Sequence, residues 1–168
     1  MTLLPARIVR LPLALLAVAL AMVLTVPGAT AQVDRDDVIH FDRGTVEIEA
    51  SSGNTYAFDV ELAIRTDQMT RGLMWRESMP MDEGMLFIFR DEAPRAFWMY
   101  NTLIPLDMIF IAGDGRIVNI VENAEPLTRT PRQSTGPARA VLELNGGVTR
   151  LLGIRAGDLV LHEAFGTR

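Results

Sequence analysis

Cysteine and lysine are both missing from this chain, and histidine occurs only as His40 and His162. Without cysteine there can be no thiolate nucleophile, no disulfide, no iron–sulfur ligand and no lipid-modified cysteine at a mature start. Without lysine there is no Schiff base, and all 16 basic residues are arginine. Two histidines exclude a three-histidine metal site within one chain. No His-Glu-x-x-His, nucleophile elbow or phosphate-binding loop is present, so no motif implies a cofactor. The net charge of −5 opposes the basic face with which nucleic-acid binders displace counterions, and no nucleic-acid partner is expected.

What is present begins with a targeting pattern. Arg7 and Arg10 precede the uncharged run Leu11–Val26, and Pro27-Gly28-Ala29-Thr30-Ala31 follows it. A basic start, a short apolar run and a small-x-small site predict a signal peptide over residues 1–31, cleaved between Ala31 and Gln32. The run has 16 residues, and a membrane-spanning helix needs about 20, so membrane contact is expected only through an uncleaved signal. The expected location is the periplasm, or the medium after secretion. Cleavage removes two arginines and no acid, leaving a net charge of −7 on 137 residues. That length suits one domain, whose stability must come from packing without disulfides. Residues 32–44 read as an acidic, aperiodic, flexible lead-in, and residues 45–165 as the domain.

The dominant period of that domain is two. Tyr56, Phe58, Val60, Leu62 and Ile64 alternate with Ala57, Asp59, Glu61 and Ala63, the pattern of a strand with one buried face. Val46, Ile48 and Ala50 alternate before it, and Ser51-Ser52-Gly53-Asn54 joins the two runs as a hairpin. Thr66 is placed to cap a short helix over 67–74. Met85–Phe89 reads as a buried strand; Leu106–Ile111 and Arg116–Val121 flank the turn Ala112-Gly113-Asp114-Gly115. Ala140–Leu144 is another strand, Gly147–Leu152 a short helix closed by Gly153, and Asp158–His162 a last strand. Six or seven short strands with two short helices predict a mainly β domain, a small barrel or sandwich. The long helices that a parallel α/β sheet requires are missing.

Several stretches occur in a recognisable order: Thr70-Arg71-Gly72-Leu73-Met74, Gly84-Met85-Leu86-Phe87, Phe97-Trp98-Met99, Asn101-Thr102, Pro105-Leu106-Asp107, Val141-Leu142-Glu143-Leu144-Asn145 and Gly153-Ile154-Arg155-Ala156-Gly157-Asp158. Together they resemble domain of unknown function family 192, small bacterial and archaeal proteins that are often exported. The resemblance covers residues 45–162 approximately and implies a shared fold; the family's name assigns no activity. Where the family commonly has lysine after Phe-Trp-Met, this chain has Tyr100.

Three groups of residues are candidates for function. Arg71, Asn101, Asp107 and Glu143 are the polar members of these stretches, and a carboxylate set among apolar neighbours either finds a donor or changes its pKa. Arg71 pairing with Asp107 or Glu143 indoors is the structural expectation. Asp107 and Glu143 as acid and base of a hydrolase or lyase is the catalytic one. Trp98 forms the second group, together with Trp75, Phe97 and Tyr100. Phe97 and Trp98 are adjacent, so in extended chain one faces away from the core, toward an apolar ligand. The third group is seven methionines within residues 69–108. Thioethers bind Cu(I), and Met74, Met85 and Met99 would be the ligands; core filling is the competing role.

The sequence therefore predicts an exported module that binds a small ligand or a periplasmic protein through Arg71, Trp98, Asn101, Asp107 and Glu143. An Asp107/Glu143 enzyme is the alternative, and methionine-based copper binding a lesser one.

Overall fold

A computed structural model describes residues 39–168. The signal segment, the cleavage site and residues 32–38 of the lead-in lie outside the described residues. The domain starts slightly before residue 45, because the first strand, β1, spans Asp42–Glu49. It pairs antiparallel with β2, Thr55–Ala63, through the expected hairpin: Ala50 N–H donates to Asn54 O (2.9 Å) and Gly53 N–H to Ala50 O (2.8 Å).

The chain then enters helix α1, Thr66–Arg71, shorter than the predicted 67–74 and displaced toward its start. Thr66 lies inside the helix rather than capping it. The first turn is held instead by buried Gln68, whose Oε1 accepts from Ile64 N–H (3.0 Å) and Arg65 N–H (2.9 Å) while Nε2 donates to His40 O (2.7 Å). A side-chain amide thus satisfies the donors that a helix start leaves open.

Strand β3, Glu83–Ala93, runs parallel to β2, which the alternation pattern does not announce; the connection carries only the six-residue α1. The two-residue β4, Ala96–Phe97, leaves the sheet. Strands β5, Leu106–Ile111, and β6, Ile117–Ala124, form the second predicted hairpin. The two-residue β7, Arg132–Gln133, pairs with β4 as a separate ribbon. Strand β8, Ala138–Asn145, inserts between β3 and β5, helix α2 follows as Val148–Leu152, and β9, Leu159–Leu161, returns to β1. A short 3₁₀ turn, Glu163–Phe165, ends the chain's regular structure.

The main sheet has seven strands in the order β6-β5-β8-β3-β2-β1-β9. It curls into a half-barrel whose edges touch at one end: Ile117 N–H donates to Asp158 O (2.9 Å), Gly157 N–H to Ile117 O (2.8 Å) and Val160 N–H to Gly115 O (2.8 Å). Gly115 is required there, because φ is +86° and a Cβ would stand 2.6 Å from Val160 O. Closing an edge in this way removes unpaired backbone groups from solvent.

Alternation divides the side chains between two apolar clusters. Val46, Ile48, Phe58, Val60, Leu86, Ile109, Leu142 and Val160 fill one face, drawn from six different strands of the curl. Met85, Phe87, Leu106, Met108, Phe110 and Val141 face the opposite way and are covered by Leu73, Met79, Met99 and Ile104 from the long connections. Four methionines in the second cluster suit an irregular space filled by loops rather than by a second sheet. Gly84 sits where β3 and β8 approach most closely: a Cβ would lie 2.6 Å from Glu143 O and 2.7 Å from Leu144 Cδ2. Backbone cannot yield as a flexible side chain does, so Gly84→Ala should lose about 1–3 kcal/mol in urea unfolding. Gly136→Ala, where the nearest atom is Val118 Cγ1 at 3.5 Å, should leave stability unchanged or slightly raised.

Candidate functional site

Asp107, on β5, is completely buried, and its partners are not the arginine expected from sequence. Its Oδ1 accepts from Asn123 N–H (2.7 Å) and Gly147 N–H (2.8 Å), and its Oδ2 from Thr149 N–H (2.9 Å) and Thr149 Oγ1 (2.7 Å). Arg71 ends α1 on the surface and forms no ion pair among the described residues. The anticipated Arg71–Asp107 bridge is therefore absent, and backbone dipoles do the work assigned to the cation. Four directed donors can solvate a buried carboxylate as fully as a guanidinium.

The acid–base pairing fails for a different reason. In the β5–β8 register Asp107 stands opposite Leu144, and Met108 stands opposite Glu143. Cross-strand partners share a face and successive residues alternate, so Asp107 and Glu143 project to opposite sides of the sheet. They cannot converge on one substrate atom. Glu143 lies on the second apolar face, with Met85 opposite it on β3 and Met108 on β5. Burial alone pushes its carboxyl up to about 8, so at neutral pH it is mostly a neutral acid.

The open site on this second face lies elsewhere. A trough of about 810 Å³ is walled on one side by Thr66, Met69 and Thr70 of α1, with Met74 just beyond the helix. Its floor is Phe87 and Phe89 of β3 and Phe97 of β4; Trp98, Tyr100 and Pro131 complete it. Phe97 stands edge-on to Phe87 (5.0 Å between ring centres), Phe89 (6.3 Å) and Phe110 (6.3 Å), which fixes the floor. Trp98, the next residue, is 56% exposed and leans on Tyr100 at 6.1 Å. Trp98 thus turns out of the core as predicted, while Phe97 is half-buried against the second cluster and also lines the trough.

Two arginines lie over rings that line this trough, and Arg95 is itself part of the lining. Arg95 lies over the Phe89 ring at 3.9 Å, with its Nε donating to Ala138 O and its Nη2 paired to Asp91. Arg129 lies over Tyr100 at 4.3 Å. Neither stood out in the sequence, since each is one arginine among 16, in a loop without periodicity. Of the residues singled out from sequence, Met69, Met74, Phe97, Trp98 and Tyr100 reach the trough, while Arg71, Asn101, Asp107 and Glu143 do not line it. Asn101 takes a left-handed turn position (φ 55°), and its carbonyl accepts from Trp75 N–H (2.9 Å), a loop-bracing role. Met85 and Met99 are fully buried in the second cluster.

With the geometry in hand, relatives can be compared. The family model described as "Uncharacterized ACR", DUF192, matches residues 47–162. The chain belongs to domain of unknown function family 192. A crystal structure from Sinorhizobium meliloti 1021, of a protein proposed to be a transcription regulator, is 41% identical with a TM-score of 0.73; the match covers 75% of this chain and 98% of that one. A protein of unknown function from Novosphingobium aromaticivorans DSM 12444 is also 41% identical with a TM-score of 0.70, over 74% of this chain and 88% of that one. No curated protein matches.

The two carboxyls give separable tests. Asp107→Asn replaces an acceptor with an amide N–H2 that must face a donor. It should cost about 2–4 kcal/mol, a fall in melting temperature on the order of 10 °C, while exposed Arg71→Leu should stay within about 0.5 kcal/mol. For Glu143 the folded pKa is raised, so its stability contribution is full below the ordinary carboxylate range near 4.5 and is lost as pH rises through about 8. Glu143→Gln should therefore gain on wild type steadily between those values, and match it in slope below them, in denaturant titrations at successive pH. His162, held below its usual pKa chiefly by burial, is common to both proteins and cancels.

Proposed function

We propose that this protein is an exported binding module that holds a small, largely apolar ligand in the trough between α1 and the 94–100 segment. The observation that carries the reading is the trough itself: about 810 Å³, open at Trp98, floored by interlocked phenylalanines and supplied with few polar groups. Small-molecule sites are typically about 300–1,000 Å³, apolar, and marked by a small number of placed polar groups. Both buried carboxyls argue against chemistry as the main role. Asp107 has every acceptor engaged by its own fold, and Glu143 lines no part of the trough. Export is supported by the basic start, the apolar run Leu11–Val26 and the Ala29-Thr30-Ala31 site. Gene regulation, suggested for the Sinorhizobium relative, would have to accommodate a net charge of −5, which repels a phosphate backbone.

The test uses protein recovered from its host after export. Its N-terminal residue should be Gln32; intact chains fractionating with membranes would support an uncleaved anchor instead. Small molecules released from it on denaturation should include one enriched over background. A trough-filling Ala96→Trp variant should lose that molecule while keeping its melting temperature. Equal retention by both proteins, or no enriched molecule, would remove the trough from consideration.

A further inference from the structure

We infer that the ligand is an aromatic acid, a flat apolar ring system bearing one carboxylate-like anionic group, and that Arg129 receives the anion at the rim of the trough. The inference rests on the trough reading above and specifies its ligand. The aromatic part follows from the lining, where Phe87, Phe89, Phe97, Trp98 and Tyr100 offer ring faces and edges in several orientations. Such a surface rewards a rigid ring that can stack or meet an edge at low entropic cost.

The anionic part follows from how the rim charges are used. Acidic groups near the trough are already engaged: Asp67 binds Arg65 on α1, and Asp91 binds Arg95. Arg95 in turn spends its Nε and Nη2 on Ala138 O and Asp91, so its role is to hold β3 to the 94–100 segment. Arg132 likewise donates to the Thr130 carbonyl and the Thr128 hydroxyl. Arg129 differs. Among the described residues its guanidinium has no acidic partner and makes no hydrogen bond; its one contact of note is the Tyr100 ring, 4.3 Å away. The guanidinium thus keeps its N–H groups without a protein acceptor among the described residues. A guanidinium with its N–H groups unspent can pair with a planar carboxylate through two parallel hydrogen bonds. Tyr100 thus does two things: it lines the trough, and its ring carries the Arg129 guanidinium. In a chain of net charge −5, an uncompensated arginine beside an apolar opening is where an acidic ligand would be drawn.

The experiment compares two probes with one ring system, 2-naphthoate and 2-naphthalenemethanol, by calorimetry on the processed protein, on Arg129→Gln and on Trp98→Ala. Naphthoate should bind about tenfold more tightly than the neutral alcohol, the value of one charge-assisted contact. Arg129→Gln should bring naphthoate to the level of the alcohol and leave the alcohol unchanged, and Trp98→Ala should weaken both. Equal binding of the two probes to wild type, or a naphthoate preference that survives Arg129→Gln, would overturn the assignment of the anion while leaving the trough in place. Failure of both probes to bind, or binding indifferent to Trp98→Ala, would overturn the trough reading and this inference with it.

Discussion

A fully buried carboxylate with no cation beside it sets the geometry of this domain. Asp107 collects donors from two regions far apart in sequence: the end of β6 at Asn123, and the turn into α2 after β8 at Gly147 and Thr149. Two of these donors belong to residues in left-handed conformations, Asn123 at φ 50° and Gly147 at φ 87°. Such conformations persist where surrounding contacts overdetermine them. The carboxylate therefore fixes both the distortion that ends the β5–β6 hairpin and the sharp turn that begins α2. An arginine could neutralise Asp107, but by taking up its oxygens it would not tie these two backbone regions together.

From that fixed point the register of β5 against β8 decides what each face contains. With Asp107 opposite Leu144, the next pair along must place Met108 and Glu143 on the other side. That side has no second sheet to cover it. The 72–82 and 98–105 connections do so instead: Trp75 N–H donates to Asn101 O between them, while Leu127 N–H to Thr102 O and Met99 N–H to Thr128 O tie the second to the connection after β6. Trp75, Asn101 and Leu127 all have positive φ, with Trp75 and Leu127 55% and 61% exposed. A cover made of braced loops leaves space where a sheet would leave none, and the trough occupies part of that space beside α1.

Local periodicity carried the long strands and both hairpins, because alternation with a buried face is written residue by residue. It could not carry the parallel pairing of β2 with β3. Pairing partners are chosen by the whole sheet, and a half-buried strand shows the same alternation whichever neighbour it has. The ribbon of Ala96–Phe97 with Arg132–Gln133 was invisible because two residues have no period. The charged residues show the limit most clearly. Sequence identifies Asp107 and Glu143 as acids among apolar neighbours, and both are buried. Backbone N–H groups are common to nearly every residue, so nothing in the side-chain pattern distinguishes a carboxylate held by amides from one held by Arg71. The exposure of Trp98 was legible for the opposite reason, since adjacency to Phe97 forces one of the pair outward.

The proposal of a binding role draws on the distribution of polar groups in this fold. General acid–base work needs a titratable group within hydrogen-bond reach of a substrate atom, directly or through one water. Here Glu143, whose pKa would suit such work, stands between Met85 and Met108, 4% exposed and beneath the loop cover. The trough is lined by rings, thioethers, prolines, two threonines and an arginine spent on structure, and a second arginine lies over one of its rings. Groups of that kind orient and retain a molecule without exchanging protons with it. The rigidity of the floor serves the same end. Phe97 is clamped edge-on by three other phenylalanines, and Trp98 inherits its position from the residue before it. A preformed apolar wall avoids the cost of ordering side chains on binding, which is the condition under which a shallow, ring-lined trough can hold a small ligand.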